Sequence, residues 1–261
     1  MIFCSLYSGS SGNSIFVSSE NAKILIDAGL PGKNIEKALK DINENPSEID
    51  GIFVTHEHSD HVKGVGVLSR KYDIPIYANE FTWKAMEGSI GKIKEHNIKI
   101  MNSGCLSIKD MDIVSFKIPH DAASPQGYAV YNKNKKAAIA TDIGHFSDEI
   151  KKNIVDSDVV LIESNHDVEM LKFGPYPYTL KRRILSNIGH LSNEDCAKAI
   201  VDIIGQKRKR VILGHLSKTN NYPELAYQTV VSFLKQMNVE LNKDIGLTVA
   251  KRDMPSNYIK F

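Results

Sequence analysis

Three histidines and an aspartate fall within the six residues His56 to His61, in the segment Thr55-His56-Glu57-His58-Ser59-Asp60-His61. This segment directly follows the apolar run Gly51-Ile52-Phe53-Val54, which reads as a strand. A lone histidine is ordinarily a core residue bonded to a carbonyl, but four such groups at one strand end point to a metal. In an extended segment, side chains at i and i+2 project to the same side, so His56 and His58 address one ion. Asp60 and His61 come at the turn that follows and address a second ion close by. Imidazole nitrogen and carboxylate oxygen suit zinc, and also manganese or iron.

Four ligands from one short loop do not close two metal sites, so the remainder come from elsewhere. Three residues at the ends of other apolar runs qualify. His120 follows Val114 to Pro119, Asp142 follows Ala137-Ala138-Ile139-Ala140-Thr141, and His215 follows Val211-Ile212-Leu213-Gly214. Strand ends that converge at one sheet edge gather such residues around one centre. Asp142 is the natural bridge, because a carboxylate has two oxygens and sets negative charge between two cations.

The surrounding pattern predicts an α/β protein. Strands are expected at Ile2 to Leu6, Ser14 to Val17 and Lys23 to Asp27, the first two joined by the turn Ser8-Gly9-Ser10-Ser11-Gly12-Asn13. Ile35, Ala38, Leu39 and Ile42 then recur at helical spacing. Further strands are predicted at Ile113 to Ile118, Tyr128 to Tyr131, Ala137 to Ala140, Val159 to Ile162 and Arg210 to Leu213. Ser192 caps a helix with the stripe Cys196, Ala199, Ile200 and Ile203, and Pro223 starts a last long one. Two groups of strands, each with helices that need a sheet to cover, imply two packed sheets with helices outside. No linker or repeat divides the 261 residues, so a single domain over 1–261 is expected.

Composition narrows the setting. No apolar run approaches the roughly 18 residues of a membrane span. The start, Met1 to Tyr7, lacks the features of a signal peptide, so a cytoplasmic location is expected. Cys4, Cys105 and Cys196 form no CxxC pair and are read as small buried hydrophobes. A formal charge of +2 permits a polyanionic partner without requiring one. The clusters Lys133-Asn134-Lys135-Lys136, Lys181-Arg182-Arg183 and Lys207-Arg208-Lys209-Arg210 are ordinarily solvated surface.

Asp27, the His56-x-His58-x-Asp60-His61 element, His120, Asp142 and His215 resemble, in order, the five motifs of the metallo-β-lactamase superfamily. The match spans nearly the whole chain. It implies a four-layer αββα sandwich of two mixed sheets with outer helices. It also implies a metal ligand set: His56, His58 and His120 on one ion, Asp60, His61 and His215 on the other, Asp142 bridging. Asp27 would then fix the far ring nitrogen of a ligating histidine. Two such cations, about 3.5–4 Å apart, make a bridging hydroxide available at neutral pH, which is hydrolytic chemistry.

Phosphodiester, lactam, lactone and thioester substrates are all open to that chemistry. The full Asp60-His61 pair with His215 resembles the nuclease and phosphodiesterase branches, whereas β-lactamases proper usually carry cysteine where Asp142 stands. The stretch Glu163-Ser164-Asn165-His166-Asp167 through Gly174-Pro175-Tyr176-Pro177 and Gly189-His190-Leu191-Ser192-Asn193, with the opening turn, is similar to the YycJ/WalJ group of bacterial metallo-hydrolases. That resemblance implies a DNA exonuclease acting from 5′ ends. His190, with a pKa near neutrality, is the expected general acid, with His166 the alternative in that role, and Asp60 is the second catalytic residue. Substrate contacts are expected from Ser10, Ser11 and Asn13, whose turn offers hydroxyls and free N–H groups, and from His166, Lys181, Arg182 and Arg183. Neither an inserted second domain nor a protruding arm is present to capture substrate, which leaves the core domain or a homodimer. The alternative is a hydrolase of a small phosphodiester, thioester or lactone.

Overall fold

The computed structural model describes residues 1–102, 104–205 and 207–261. Its strands form two seven-stranded mixed sheets. The first sheet contains β1 (Ile2–Tyr7), β2 (Ser14–Ser18), β3 (Lys23–Ile26), β4 (Gly51–Phe53), β5 (Ile76–Ala78) and β6 (Ile98–Ile100) side by side. The second runs through β7 (Gly104–Ile108), β8 (Met111–Lys117), β9 (Gln126–Asn132), β10 (Lys135–Ala140), β11 (Val159–Glu163), β12 (Lys209–Gly214) and β13 (Ile245–Val249). The last strand, β14 (Ser256–Lys260), returns to the first sheet and pairs antiparallel with β1.

The alternation of strand side chains explains the layering. Ile15 and Val17 of β2 and Ile24 and Ile26 of β3 face the second sheet, where they meet Ile113, Tyr128, Ile139, Val159 and Leu161. Their sequence neighbours Phe16 and Leu25 face outward, towards Ile35 and Leu39 of α1 (Gly32–Asp41) and Leu68. On the other side, Val160 and Ile162 of β11 point away from the sheet interface, into a cluster with Cys196 and Ile200. Both faces of each sheet are buried, so the central strands are apolar throughout rather than alternately polar. Helices outside two packed sheets make four layers, the αββα sandwich expected of the sequence.

The predicted strands and helices occur, with differences at the periphery. Residues Ser59 to Ile90 fold into α2 (Ser59–Val62), α3 (Val65–Tyr72), β5 and α4 (Glu80–Ile90), none of which the sequence pattern predicts. Strands β13 and β14 likewise complete the sheet edges without prior signal. The second half adds α5 (Asp148–Ile154), α6 (Val168–Phe173), α7 (Tyr178–Ile184), α8 (Asn193–Asp202) and α9 (Pro223–Gln236). Cys4 and Cys196 are buried, but Cys105 is exposed on β7, at an open sheet edge, so the expectation of three buried thiols is corrected there. Among the basic clusters, Lys209 and Lys136 are buried rather than solvated, and Lys209 Nζ donates to the Val155 carbonyl. No helix among the described residues is long and apolar enough to cross a membrane.

Candidate metal centre

The carboxyl ends of β3, β4, β10, β11 and β12, with the turn after β8, converge on one cleft. Asp27, His56, Asp142, Glu163 and His215 stand at or just beyond those strand ends, and His120 three residues after β8. His58 precedes α2, which carries Asp60 and His61. Three of these residues, Asp27, Asp142 and His215, leave their strands with left-handed backbone, φ 60°, 59° and 54°. That turn lifts the side chain out of the sheet plane at once, and non-glycine residues adopt it only when the surroundings compel them.

The donor atoms approach closely. His56 Nε2 lies 3.1 Å from His58 Nδ1. Asp142 sits between the two halves, with Oδ2 3.2 Å from His61 Nε2 and Oδ1 3.5 Å from His215 Nε2 and 3.8 Å from His120 Nε2. Asp60 Oδ2 is 3.5 Å from His215 Nε2 and 3.6 Å from His61 Nε2. Ligand atoms lie within 4.8 Å of one another in the sets His56–His58–His120, His56–His61–Asp142 and Asp60–His61–His215.

Whether these donors fit divalent cations is answered by their chemistry. The Oδ2 atom of Asp142 is buried and makes no hydrogen bond, and an uncompensated buried carboxylate oxygen is costly. Five imidazoles gather around it, and those of His61, His120, His190 and His215 bring a ring nitrogen within 3.8 Å of the Asp142 carboxylate. Nitrogen and carboxylate donors in overlapping clusters, with Asp142 close to His120 on one side and to His61 and His215 on the other, suit two cations of the zinc, manganese and iron class.

The opposite ring nitrogens are held from behind. Asp27 Oδ2 is 2.7 Å from His61 Nδ1, while its two oxygens also accept from the Thr55 N–H and hydroxyl at 2.8 Å each. His120 Nδ1 donates to the Gly189 carbonyl at 3.0 Å. Glu163, fully buried, accepts from His215 Nδ1 at 2.7 Å, His190 Nδ1 at 2.9 Å and the Ile143 N–H at 2.7 Å. Each partner fixes the tautomer, so that the other nitrogen is presented to the cleft.

Burial alone disfavours charge on these groups, and their mutual attraction overrides it. The Glu163 carboxyl would be raised by burial, yet the charges and hydrogen bonds of His190 and His215 bring it down to about 2. Burial is the largest single influence on the His190 imidazole and lowers it, but the charge and hydrogen bond of Glu163 with the charge of Asp142 together outweigh it, so the ring holds its proton above the usual histidine range. Asp142 is likewise held well below the carboxylate range by His215 and His61 despite its burial.

Glu163 was not singled out from the sequence as a functional residue. The signal was available: it ends the apolar run Val159 to Ile162, as Asp142 and His215 end theirs.

Above the centre lies a cavity of about 420 Å³ whose wall includes Ser10, Tyr176, Leu180, Arg183 and His190. The other residues expected to touch substrate are placed differently. Ser11 is exposed outside that lining. Asn13 is buried, accepting from the Gly9 N–H, with its amide 3.1 Å from His61 Nε2. Arg183 pairs with Asp121, Lys181 Nζ donates to the Lys172 carbonyl, and Arg182 lies over the Tyr178 ring. His166 faces a separate cavity.

The fold and this donor set define a metal-dependent hydrolase, and the chain belongs to the metallo-β-lactamase superfamily: the beta-lactamase superfamily domain matches residues 22–216. Within that class it is 48% identical over 255 residues to exodeoxyribonuclease YycJ of Bacillus anthracis, 97% of each chain being covered. It is 47% identical over 242 residues to exodeoxyribonuclease WalJ of Streptococcus pneumoniae, covering 92% of this chain and 90% of that one. Among solved structures, the metallo-β-lactamase fold protein YhfI from Bacillus subtilis superposes with a TM-score of 0.71 over 98% of both chains at 12% identity, a likeness of fold.

Proposed function

We propose that this protein is a DNA exonuclease that hydrolyses phosphodiester bonds from 5′ ends. The observation that carries this reading is the near full-length similarity to exodeoxyribonuclease YycJ, in a chain whose cleft assembles the His/Asp set described above. His56, His58 and His120 would hold one cation and Asp60, His61 and His215 the other, with Asp142 available to both. Bound there, two divalent cations would supply Lewis-acid charge for a phosphoryl oxygen and a more acidic water at neutral pH.

The protein's own groups do the rest. Asp27, Gly189 and Glu163 hold three imidazole rings in place through their Nδ1 atoms. His190, held through Nδ1 by Glu163 and lining the cavity, gives the proton of its other ring nitrogen to the departing sugar oxygen. Arg183, on the cavity wall, supplies positive charge beside the substrate phosphate, and Ser10 a hydroxyl. The exposed Arg182 extends that charge along the strand. All three thiols are free, which suits a cytoplasmic enzyme.

Linear DNA labelled at either end tests the reading, in zinc or manganese, with Asp60→Asn as the control against contaminating nuclease. Release of the 5′ label first, by wild type alone, is expected. Intact DNA in every metal would refute it. A second reading, hydrolysis of a small phosphodiester, thioester or lactone, is favoured by the cavity, whose volume of about 420 Å³ is that of a metabolite pocket.

A further inference from the structure

His190 has a cavity on each side. Behind it, away from the metal cluster, lies a second space of about 400 Å³. Its floor is one face of α8, since Asp195, Lys198, Ala199 and Asp202 follow at i, i+3, i+4 and i+7. Gly144 and Asn187 close one end. A Cβ on Gly144 would stand 2.2 Å from the Asn187 carbonyl oxygen, so the two loops are in direct contact there.

His166 lines this space and is 1% exposed, yet neither of its ring nitrogens has a hydrogen-bond partner. The two unmet groups of a buried imidazole are costly to leave unsatisfied. A ring nitrogen at the cavity wall asks for a ligand with a donor or an acceptor atom. The charges around the space disfavour an anion, since the His190 ring on its wall is already paired with Glu163. Asp195 and Asp202 both line it, and the one lysine, Lys198, is bonded to Asp195 at 2.8 Å. Phe146, Val168 and Leu185 add apolar wall. A flat, uncharged, heteroaromatic ring with N–H and ring-nitrogen edges meets each condition.

We propose that this cavity is a nucleobase pocket, read by His166. The proposal rests on the exonuclease reading: the phosphate of the terminal nucleotide lies over the metal centre and its base on the other side of His190. Burial pushes the His166 imidazole down to about 4, which keeps it neutral, with one nitrogen donating and one accepting. Such a site positions the end of a strand through its base without demanding one base, because every base offers both kinds of edge.

The zinc-loaded protein, with 15N-labelled histidine, is titrated with 2′-deoxyadenosine and thymidine, followed by the His166 ring signals. Both nucleosides are expected to move those signals, and 2-deoxyribose 5-phosphate to leave them in place. His166→Phe should bind deoxynucleosides about tenfold more weakly, the scale of one lost buried hydrogen bond. Val168→Phe, at a partly exposed position, narrows the same space and should do likewise where His166→Phe fails to fold. Silence towards every deoxynucleoside, a response to spermidine instead, or unaltered binding in a folded variant would overturn the pocket. DNA digestion scored on the same preparations separates the two readings. Digestion without nucleoside binding removes the pocket and leaves the exonuclease, whereas nucleoside binding with intact DNA does the reverse.

Discussion

His190 and His215 point their Nδ1 atoms at the same oxygen, Oε1 of Glu163, from 2.9 and 2.7 Å. One carboxylate therefore orients a proposed metal ligand and the proposed proton donor together. Replacing Glu163 by Gln should weaken metal binding about 10–100-fold, the usual cost of losing such a partner. It should also lower the His190 pKa. His190 must be protonated to act, so activity falls as pH rises through its pKa, and the alkaline limb of the rate profile should move to lower pH in the variant. Metal content and a pH–rate profile check both effects; a limb left in place would remove His190 as the acid.

His190→Ala separates proton donation from metal binding. With DNA, whose leaving group is a poorly acidic sugar hydroxyl, the rate should drop about 10²–10⁴-fold. With bis(p-nitrophenyl) phosphate, whose leaving group needs no proton, the drop should be much smaller, and metal content should be unchanged. Equal losses on both substrates would speak for a structural role.

Asp142→Asn and His58→Ala should each bind fewer metal ions and lose activity while retaining the fold. Circular dichroism and elemental analysis on the same sample give the answer, and a wild-type rate in either would refute the assignment of ligands.

Away from the centre, Asp158 is held below the usual carboxylate range. Burial raises it, but the Lys207 ammonium and the Lys136 N–H, 2.9 Å from Oδ2, outweigh burial. A carboxylate with a depressed folded pKa stabilises above its unfolded pKa, and that contribution disappears as pH falls through the folded value. Asp158→Asn should therefore cost up to about 1 kcal/mol near neutrality, since the exposed Lys207 partner is screened by solvent. Urea unfolding should show the gap from wild type closing below about pH 4.

Much of this architecture was readable because strand-end residues announce themselves: an apolar run gives the strand, and the polar residue that stops it gives the site. His56, His120, Asp142 and His215 follow that rule, and the structure brings all four to one cleft. Glu163 obeys it too, but a single glutamate after an apolar run is common, and only the two histidines that turn to it reveal its place. The substrate-facing residues were harder. Whether Arg183 is free or paired with Asp121 depends on a turn 62 residues away, and nothing local distinguishes Asn13, engaged with His61, from Ser10 on the cavity wall. Strands β13 and β14 are short and partly exposed, so their periodicity is weak and their pairing partners decide them.

The left-handed backbone at Asp27, Asp142 and His215 sets stability against activity at three points. Each costs on the order of 1 kcal/mol or more, a debt that glycine would cancel and asparagine reduce. Variants selected for heat resistance alone would drift towards those residues, and would emerge as sturdier proteins with an empty workplace.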